Sequence, residues 1–498
     1  RSGQPVLERD GISLDSPFDP LREAEKRLAR LALAGKESVI LLGDGSCYLA
    51  ALLVARRPEL PVTVVEADPA LVLAAFRARG ADAFGGFSLV LTSELVHPAD
   101  ITRLLPPLET ACIAEHAAAG RLFPGEYGRI RELLTTVLRR RAAGLGTVAW
   151  FGRRWLHNIL ANMALSAPHA LEVQEAGDVL LAVPGPTLPA SLPLLRDRER
   201  RFLIALAPVL PYLEAEGVVP DLVVTSDGGF ANLLHFCGRE SSSVPLVYPL
   251  MTHAGIPRRW AGPLVPVSMG MGPEELLLRA GILPRFPECP TVALFALRLA
   301  AALGAVRIFL AGQDFGQPGW RGHVPGYRFE EARFDRATRL RPVLAGLARP
   351  FREHWPVEGG FRTSVPFRLY RDGFLETVAV LGRPVRALGP SPLLQPLAAG
   401  TELPQYPLRL RVRESGRTLP DPVRVAASRT RIAALARERT ASPEELLADP
   451  VLGPFLQLLR PREAFRCLEQ GLAIAPEPFF AGLGGELAAV SRHLARLE

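Results

Sequence analysis

The fold is decided by a short apolar run that stops abruptly at a turn of Pro and Gly, Val179-Leu180-Leu181-Ala182-Val183-Pro184-Gly185-Pro186-Thr187-Leu188. Two more apolar runs follow, residues 202–207 and residues 222–225, and helical patterns separate the three runs. Apolar runs of this length, bounded by turn residues, are typical of parallel strands in an α/β sheet. Because ligands of such sheets bind beyond the carboxyl ends of the strands, we expect the functional site at the turns that follow these runs.

The turns at these strand ends carry residues suited to ligand binding. Gly185 lets the backbone approach a phosphate closely, Pro186 fixes the turn, and Thr187 can cap the following helix. Free N–H groups at the start of that helix would favour an anion. Asp227, after the third run, could meet a ribose hydroxyl, a metal or an acceptor hydroxyl, although Asp-Gly is also common in ordinary turns.

A further polar group lies later in the chain. Residues 291–303 are apolar on nearly all sides and predict a buried helix, which leads into a strand over residues 306–311. Gly312, Gln313 and Asp314 follow directly. We therefore expect these three residues to lie at the carboxyl end of another strand of the same sheet.

The loop after this strand, residues 316–327, is rich in Gly, Pro and aromatic residues. Such a loop tip predicts a mobile lid or an acceptor-binding loop. It contains His323, for which an exposed histidine without function is the alternative. Beside Asp314, His323 becomes a candidate general base, since imidazole titrates near neutral pH.

The N-terminal part of the chain predicts a separate α/β unit. A strand over residues 38–42, a turn with Gly43 and Gly45, a helix, and a strand ending in Glu66 form the generic nucleotide-binding half-unit. One interpretation places a ribose on Glu66 and an adenosine-type cofactor over the glycines. The third glycine of the dinucleotide motif is missing, so we favour a structural Rossmann-like domain whose glycines only make the turn.

The segment between these two units, residues 111–175, is predicted to be mainly helical. Asn158 and Asn162 lie four residues apart on one helix face. Their side-chain amides could tie the helix to loops, or they could face the central site and help to hold the substrate.

Three domains are predicted, since 498 residues exceed what one core usually covers. The first is a Rossmann-like α/β domain over residues 1–140, and the second is a parallel α/β domain over residues 141–395. The third, residues 396–498, is predicted to be mainly helical, with a half-exposed strand where residues 408–413 alternate between apolar and charged.

The composition excludes several classes of protein. The formal net charge is +7, but the basic residues are spread along the chain, so we predict no nucleic-acid partner. Nearly all of them are arginines, which favour phosphates and carboxylates, so an anionic substrate is compatible with the composition. The sequence has no uncharged apolar run of about 18 residues, so no membrane span is predicted. The five cysteines are far apart and lack metal-ligand spacing, which favours free thiols in a reducing cytoplasm and no metal site.

Together, these motifs resemble the motility accessory factor (Maf) family of flagellin glycosyltransferases, whose core is the MptE-like domain. Residues 185–188 are similar to the family's Gly-Pro-Ser-Leu, with Thr for Ser. Residues 217–227 are similar to its Gly-Ile-x-Pro-Asp-x-Val-Val-Ser-x-Asp. Residues 302–314 resemble its Leu-Gly…Gly-Gln-Asp, with His323 as the spaced histidine that follows, and residues 155–162 resemble its Trp-x-x-Asn-x-x-x-Asn helix.

The resemblance implies a sialyltransferase-like core that uses a CMP-activated nonulosonic acid, such as pseudaminic or legionaminic acid. The acceptors would be Ser or Thr hydroxyls of flagellin in the cytoplasm. Asp314 or His323 would deprotonate the acceptor hydroxyl, and Asp227 would orient the donor ribose or the acceptor. Gly185 to Thr187 would hold the CMP phosphate. The full set of predicted donor-binding residues is Gly185, Pro186, Thr187, Gly312, Gln313 and Asn158.

Other functions stay open at this point. Archaeal proteins with the same core domain transfer pyrophosphate to a pterin, and that chemistry would need magnesium clamped by carboxylates such as Asp227 and Asp314. A non-catalytic flagellin-binding chaperone and a methyltransferase that uses the first domain are further alternatives. For the glycosyltransferase we predict no tightly bound cofactor, although magnesium is a possible addition.

Overall fold

The computed structural model describes residues 3–108, 110–165, 168–197, 199, 202–239, 242–389, 391–397, 404–416, 418–435, 441–469 and 473–497. The strands are β1 Glu8–Arg9, β2 Ile12–Ser13, β3 Ser38–Leu42, β4 Val62–Glu66, β5 Phe87–Leu91, β6 Ala111–Glu115, β7 His169–Glu175, β8 Val179–Ala182, β9 Phe202–Leu206, β10 Leu222–Val224, β11 Leu246–Pro249, β12 Leu264–Val267, β13 Ile308–Ala311, β14 Val357–Glu358, β15 Phe361–Arg362, β16 Val385–Leu388 and β17 Arg409–Glu414.

The α-helices are α1 Pro20–Arg30, α2 Tyr48–Arg56, α3 Pro69–Arg79, α4 Pro98–Leu104, α5 Ala117–Leu122, α6 Pro124–Met163, α7 Leu192–Arg196, α8 Leu210–Ala215, α9 Gly272–Leu277, α10 Val292–Ala302, α11 Arg328–Asp335, α12 Val343–Leu347, α13 Arg349–Arg352, α14 Val365–Val380, α15 Pro422–Leu435, α16 Pro443–Ala448, α17 Gly453–Leu459, α18 Pro461–Ala464, α19 Pro476–Phe480 and α20 Leu483–Leu494. Within the described ranges, none of the helices combines the length and apolar character needed to cross a bilayer.

The chain divides into two compact units. Unit 1 comprises residues 1–150, 443–448 and 460–479, and unit 2 comprises residues 151–442, 449–459 and 480–498. The boundary therefore falls within α6. The three-domain boundaries expected from the sequence stay a prediction.

Unit 1 is built on a parallel sheet with the strand order β5-β4-β3-β6. Successive side chains of a strand point to opposite faces of the sheet, so β3 contributes side chains to the apolar clusters on both faces. Ile40 and Leu42 pack in one apolar cluster, whereas Val39 and Leu41 pack in another. The predicted Rossmann-like α/β unit is confirmed.

Unit 2 is built on a seven-stranded, all-parallel sheet with the order β12-β11-β10-β9-β8-β13-β16. The strands β8, β9, β10 and β13 are fully buried apolar runs, as expected for a parallel sheet covered on both faces. The predicted buried helix is α10, which packs into the same core. The α/β class of the central region is therefore confirmed, as is the mainly helical character of the C-terminal part.

Two strands were missed in residues 111–175. Residues 111–115 form β6, which pairs with β3 in parallel, and residues 169–175 form β7, which pairs with β17 in antiparallel. The predicted helix is present between them as α5 and α6. Both strands contain mostly Ala, Glu or other residues that are not β-branched, so their strand character depends on pairing with distant segments.

Because all seven strands are parallel, their carboxyl ends lie at one edge of the sheet. β8 lies between β9 and β13, with Ala182 opposite Ala311 in register. β10 lies on the other side of β9. The turns after β8 and β13 are therefore direct neighbours, while the turn after β10 is one strand further away.

Candidate functional site

The turns after β8 and β13 are joined by hydrogen bonds. The backbone N–H of Gly185 donates to the carbonyl oxygen of Gly312 at 2.9 Å. The N–H and Oγ1 of Thr187 donate to the two carboxylate oxygens of Asp314 at 2.9 and 2.6 Å. A Cβ at Gly185 would lie 2.1 Å from the Gly312 oxygen, so only glycine allows this approach. The Gly-Pro-Thr-Leu and Gly-Gln-Asp motifs thus form one joint structure.

The N–H groups in this joint are occupied by protein oxygens. Gly185 donates to Val183 as well as to Gly312, Pro186 has no N–H, and Thr187 donates to Asp314. The following α-helix, α7, has only 5 residues. The close contact of the two turns is therefore sufficient to explain why glycine occupies these positions. The binding of a donor phosphate by residues 185–187 stays a prediction.

Asp314 is 2% exposed, and both of its oxygens accept hydrogen bonds from Thr187. Burial raises the pKa of Asp314, while the two hydrogen bonds from Thr187 oppose that shift. A carboxylate engaged in this way holds two strand ends together and offers little access to an acceptor hydroxyl. Beside it, Gln313 is buried, and its Oε1 has no hydrogen-bond partner among the described residues.

His323 is paired with a carboxylate that the sequence analysis missed. Its Nδ1 lies 2.9 Å from Oε1 of Glu330, in the first turn of α11. An ionised carboxylate only accepts hydrogen bonds, so Nδ1 is the donor in this contact, and in a neutral imidazole the lone pair then lies on Nε2. The His323 side chain is 33% exposed and that of Glu330 is 12% exposed. This pair therefore has the geometry of a general base with its orienting acid.

Tyr327 connects the loop after β13 with the segment after β10. Its ring stacks on His323, with centroids 3.7 Å apart and planes inclined by 9°, and lies 5.3 Å from the ring of His235. Val324 of the same loop donates to the carbonyl oxygen of Pro184 at 2.9 Å. Loops that follow β8, β10 and β13 therefore meet at the carboxyl edge of the sheet.

Burial shifts the pKa values of the two groups that Tyr327 and His235 contribute to this contact. It lowers the pKa of His235 to about 4 and raises the pKa of Tyr327 to about 12. The negative charges of Glu330 and Asp227 add to the shift of Tyr327, so both carboxylates lie within electrostatic range of its hydroxyl. His235 and Tyr327 are thus neutral near pH 7 and act as aromatic supports for His323.

Asp227 is exposed at the start of the loop after β10. Its Oδ1 accepts a hydrogen bond from the N–H of Gly229 at 2.7 Å, as in a local turn. Asn232 donates to Thr225 Oγ1 at 2.9 Å and so fixes the next turn of the same loop. Asp227 therefore faces solvent on a loop fixed by hydrogen bonds and lies within electrostatic range of Tyr327.

Asn158 holds this loop from α6. Its Nδ2 donates to the carbonyl oxygens of Gly228 and Met251 at 3.1 and 3.0 Å, and its Oδ1 accepts from Ala254. Asn162, one turn later, donates to two carbonyl oxygens of the turn after β11. These contacts agree with the interpretation that the asparagines tie the helix to loops. A direct contact of Asn158 with the donor stays a prediction.

The corresponding turn of unit 1 is closed by protein atoms. Glu66 is buried and accepts from Tyr127 Oη at 2.8 Å and from the N–H of Ala67 at 2.9 Å. A Cβ at Gly43 would lie 2.5 Å from that of Ala119. These contacts favour the structural interpretation of this turn over ribose binding by Glu66.

Two further features bear on ligands. Within the described part of the chain, no three His, Cys, Asp or Glu side chains come together as a metal-binding group. A cavity of about 290 Å³ lies before β10 and β11, with Val219, Pro220 and Val244 in its lining. It is at the amino-terminal edge of the sheet, opposite to the candidate site.

The sequence and the fold were compared with known proteins. Residues 153–319 match the family model described as 6-hydroxymethylpterin diphosphokinase MptE-like. The structure is similar to that of the Maf glycosyltransferase from Magnetospirillum magneticum AMB-1, with a TM-score of 0.55 and 13% identity over 100% of this chain and 90% of that chain. No curated protein matches the sequence at a significant level. The resemblance is thereby confirmed at the level of similarity: residues 153–319 match the MptE-like family model, and the chain has a fold similar to that of a Maf glycosyltransferase.

Proposed function

We propose that the protein is a glycosyltransferase that moves a nonulosonic acid from a CMP-activated donor to Ser or Thr hydroxyls of flagellin in the cytoplasm. The observation that carries this proposal is the His323–Glu330 pair at the carboxyl edge of the sheet. The similarity of the fold to a Maf glycosyltransferase supports the class of reaction. A partly exposed base is what transfer to a hydroxyl of a large acceptor requires, since the acceptor reaches the site from solvent.

In the proposed reaction, Nε2 of His323 takes the proton of the acceptor hydroxyl. The acceptor oxygen bonds to C2 of the sugar while the bond from C2 to the CMP phosphate oxygen breaks. CMP leaves with the bonding electrons as a phosphate, which departs well without strong protonation. Glu330 accepts a hydrogen bond from Nδ1–H of His323, which orients the imidazole ring and stabilises the imidazolium that forms.

The other predicted residues support this step. Asp314 and Thr187 hold the two turns under the donor, and we keep Asp314 as the second candidate for the base. The unpartnered Oε1 of Gln313 can accept a hydrogen bond from the donor. Asp227 orients the donor ribose or the acceptor. Gly185, Pro186 and Gly312 shape the floor of the donor site, and Asn158 fixes the loop that carries Asp227.

The proposal is tested with purified flagellin and a CMP-activated nonulosonic acid, with CMP release and the mass of flagellin as readouts. We expect His323→Ala to lower the rate by about 10²–10⁴-fold and Glu330→Gln by roughly tenfold, because the proton acceptor is lost or misoriented. Both variants should keep the thermal shift that CMP causes in the parent protein. His97→Ala, an exposed histidine of unit 1, is the matched control and should keep full activity.

Three results would contradict this assignment. Full activity of His323→Ala together with inactive Asp314→Asn would move the base to Asp314. No CMP release from any donor, with tight flagellin binding that survives both substitutions, would favour a non-catalytic chaperone. Binding of S-adenosylmethionine instead of CMP would favour a methyltransferase.

The matched family model supports a second candidate, a magnesium-dependent diphosphokinase. Asp227 and Asp314 would be the ligands of the ion, which would neutralise the transferred phosphates. The contacts of Asp314 fit this role poorly, since both of its oxygens already accept from Thr187. Loss of turnover in EDTA, with recovery on adding magnesium, and transfer from ATP to a hydroxymethylpterin would favour this candidate.

A further inference from the structure

Unit 2 carries a group of exposed arginines that the linear sequence does not bring together. The group comprises Arg154, Arg258, Arg259, Arg492 and Arg496, and we call it the arginine surface. None of the five forms an ion pair with a residue that the structure describes. Arg154 lies over the ring of Phe151, with 5.4 Å between its Cζ and the ring centroid. Five cations without counter-ions repel one another, so a partner that supplies negative charge would stabilise them.

One end of the arginine surface adjoins the candidate site. The backbone N–H of His253 donates to the carbonyl oxygen of Asp227 at 3.2 Å, and its ring lies 5.5 Å from that of Phe230. Burial lowers the pKa of His253, and the positive charges of Arg154 and Arg259 lower it further. These two arginines therefore lie within electrostatic range of the loop that carries Asp227.

The other end extends over α20. His157 of α6 and His493 of α20 lie with ring centroids 5.3 Å apart. Burial and the charges of His157, Arg496, Arg258 and Arg492 all lower the pKa of His493. Asn158 of α6 accepts a hydrogen bond from the N–H of Ala254 at 3.3 Å, so α6 links the loop 253–259 to α20 and the arginine surface continues between them.

Two carboxylates, Glu486 and Asp227, act on the histidines beside this surface. Glu486 is already paired with Arg153 at 2.9 Å, and Asp227 lies at the border with the candidate site. Phe230 at that border is 71% exposed, which adds an apolar contact to the charged area. Guanidinium groups bind carboxylates through two parallel hydrogen bonds, so an acidic peptide beside an apolar residue fits this composition.

We propose that the arginine surface binds an acidic segment of the acceptor polypeptide and thereby brings the reacting hydroxyl to the edge of the sheet beside Asp227 and His323. This inference rests on the proposed function for the identity of the acceptor. A polypeptide fits better than a single-stranded nucleic acid, because nucleic acids are bound on successive stacked aromatic side chains, whereas the exposed ring that the described residues place beside Asp227 is the single ring of Phe230. The charged contacts act mainly by steering and orienting the acceptor.

The test uses a fluorescein-labelled 16-residue peptide of alternating Glu and Ser, with fluorescence anisotropy at low and high salt. We expect Arg258→Glu/Arg259→Glu and Arg492→Glu/Arg496→Glu each to weaken binding at least about tenfold at low salt, with a smaller effect at high salt. The control is Arg339→Glu/Arg341→Glu, two exposed arginines of unit 2 with the same change of charge, which should bind the peptide as the parent does. Arg258→Lys/Arg259→Lys should keep most of the affinity.

Several results would overturn the inference. These are no binding of the peptide to the parent protein, equal weakening in the control, or tighter binding of a 16-nucleotide DNA strand that the same substitutions abolish. The thermal shift with CMP is measured on every variant and should not change. If CMP caused no thermal shift in the parent but the variants still lost peptide binding, the proposed function would be wrong. The inference that the arginine surface binds acidic peptides would still hold.

Discussion

The turn Gly43 to Cys47 in unit 1 and the turn Gly185 to Leu188 in unit 2 follow the same plan but have different surroundings. Each follows a buried parallel strand, and each has a glycine where a Cβ would collide with a neighbour. In unit 1 the space beyond the turn is filled by Tyr127 and by Glu66, which accepts a hydrogen bond from the Tyr127 hydroxyl. In unit 2 the neighbouring loops keep a partly exposed histidine and an exposed carboxylate within reach.

The two glycine turns have the same local cause and different surroundings. In both units the glycine is required because two pieces of backbone or side chain come very close, and not because a ligand is present. The capacity for chemistry depends on side chains that other loops place around the turn. In the site that we propose for unit 2 these are His323 and Glu330, which come from a segment more than a hundred residues later in the chain.

The largest effect is expected from filling the two glycine positions. Gly185→Ala would place a methyl group 2.1 Å from the Gly312 oxygen and 2.4 Å from Asp314 Oδ2, so the joint of the two turns must open. We expect a loss of about 4 kcal/mol in the free energy of unfolding, with loss of CMP release. Gly43→Ala should cost about 3 kcal/mol, from crowding against Ala119 and a backbone φ of 73°, but should leave the site of unit 2 unchanged. Urea unfolding and activity per folded molecule measure both.

The control for both substitutions is Gly373→Ala in α14, where an added Cβ has no atom within 4 Å. Alanine in a helix favours the folded state, so this variant should gain up to about 1 kcal/mol. A comparison in which Gly185→Ala behaved like Gly373→Ala would show that the two turns of unit 2 are not tightly joined.

A smaller effect is expected from the hydrogen bonds of the same joint. Asp314→Asn replaces one acceptor oxygen by an amide that faces a donor of Thr187, and we expect a loss of about 2–3 kcal/mol. Thr187→Val removes the hydroxyl alone and should cost about 1–2 kcal/mol. The double variant should cost less than the sum, since the two residues share the interaction. Additive losses would mean that Thr187 and Asp314 act independently.

Much of the framework could be predicted from the sequence. The strands over residues 38–42 and 62–66 match β3 and β4 to the residue, because continuous runs of Val, Ile and Leu suit a sheet that is buried on both faces. By contrast, β6 was missed, since Ala-Cys-Ile-Ala-Glu has one β-branched residue and becomes a strand by pairing with β3. A strand is predicted well from the local sequence when its own residues favour the extended conformation. It is predicted poorly when its conformation depends on pairing with a distant strand.

The candidate site was predictable only in part. The strand-end motifs predicted that the segments around Gly185 and Asp314 lie close together, and the two segments do so because β8 and β13 are adjacent. Glu330 carried no signal, because it lies seven residues after His323 across a Pro-Gly turn, where neither strand nor helix spacing applies. The arginine surface was equally hidden, since its members come from α6, the loop 253–259, α20 and the turn that follows α20. Their proximity is a property of the tertiary fold.

A pH-dependent effect separates the two turns. Asp44, in the turn of unit 1, is fully buried between Arg27 at 3.1 Å and the N–H of Ala50 at 2.7 Å. Burial raises the pKa of Asp44 from 3.8 to about 7, which outweighs the opposing effect of Arg27. The stability linked to this group is fully present below the unfolded pKa near 3.8 and is lost as the pH rises through about 7.

Asp44→Asn removes this titration, because asparagine resembles the protonated acid at every pH. We expect the difference in unfolding free energy, variant minus parent, to rise by about 1 kcal/mol per pH unit between pH 4 and 7 and then to level off. Asp15→Asn in the same unit is a useful comparison, since burial also raises the pKa of Asp15 and its slope should have the same sign. If the difference in unfolding free energy between Asp44→Asn and the parent did not change with pH, Arg27 would keep this carboxylate ionised. The closed turn of unit 1 would then stabilise a buried charge without access to solvent.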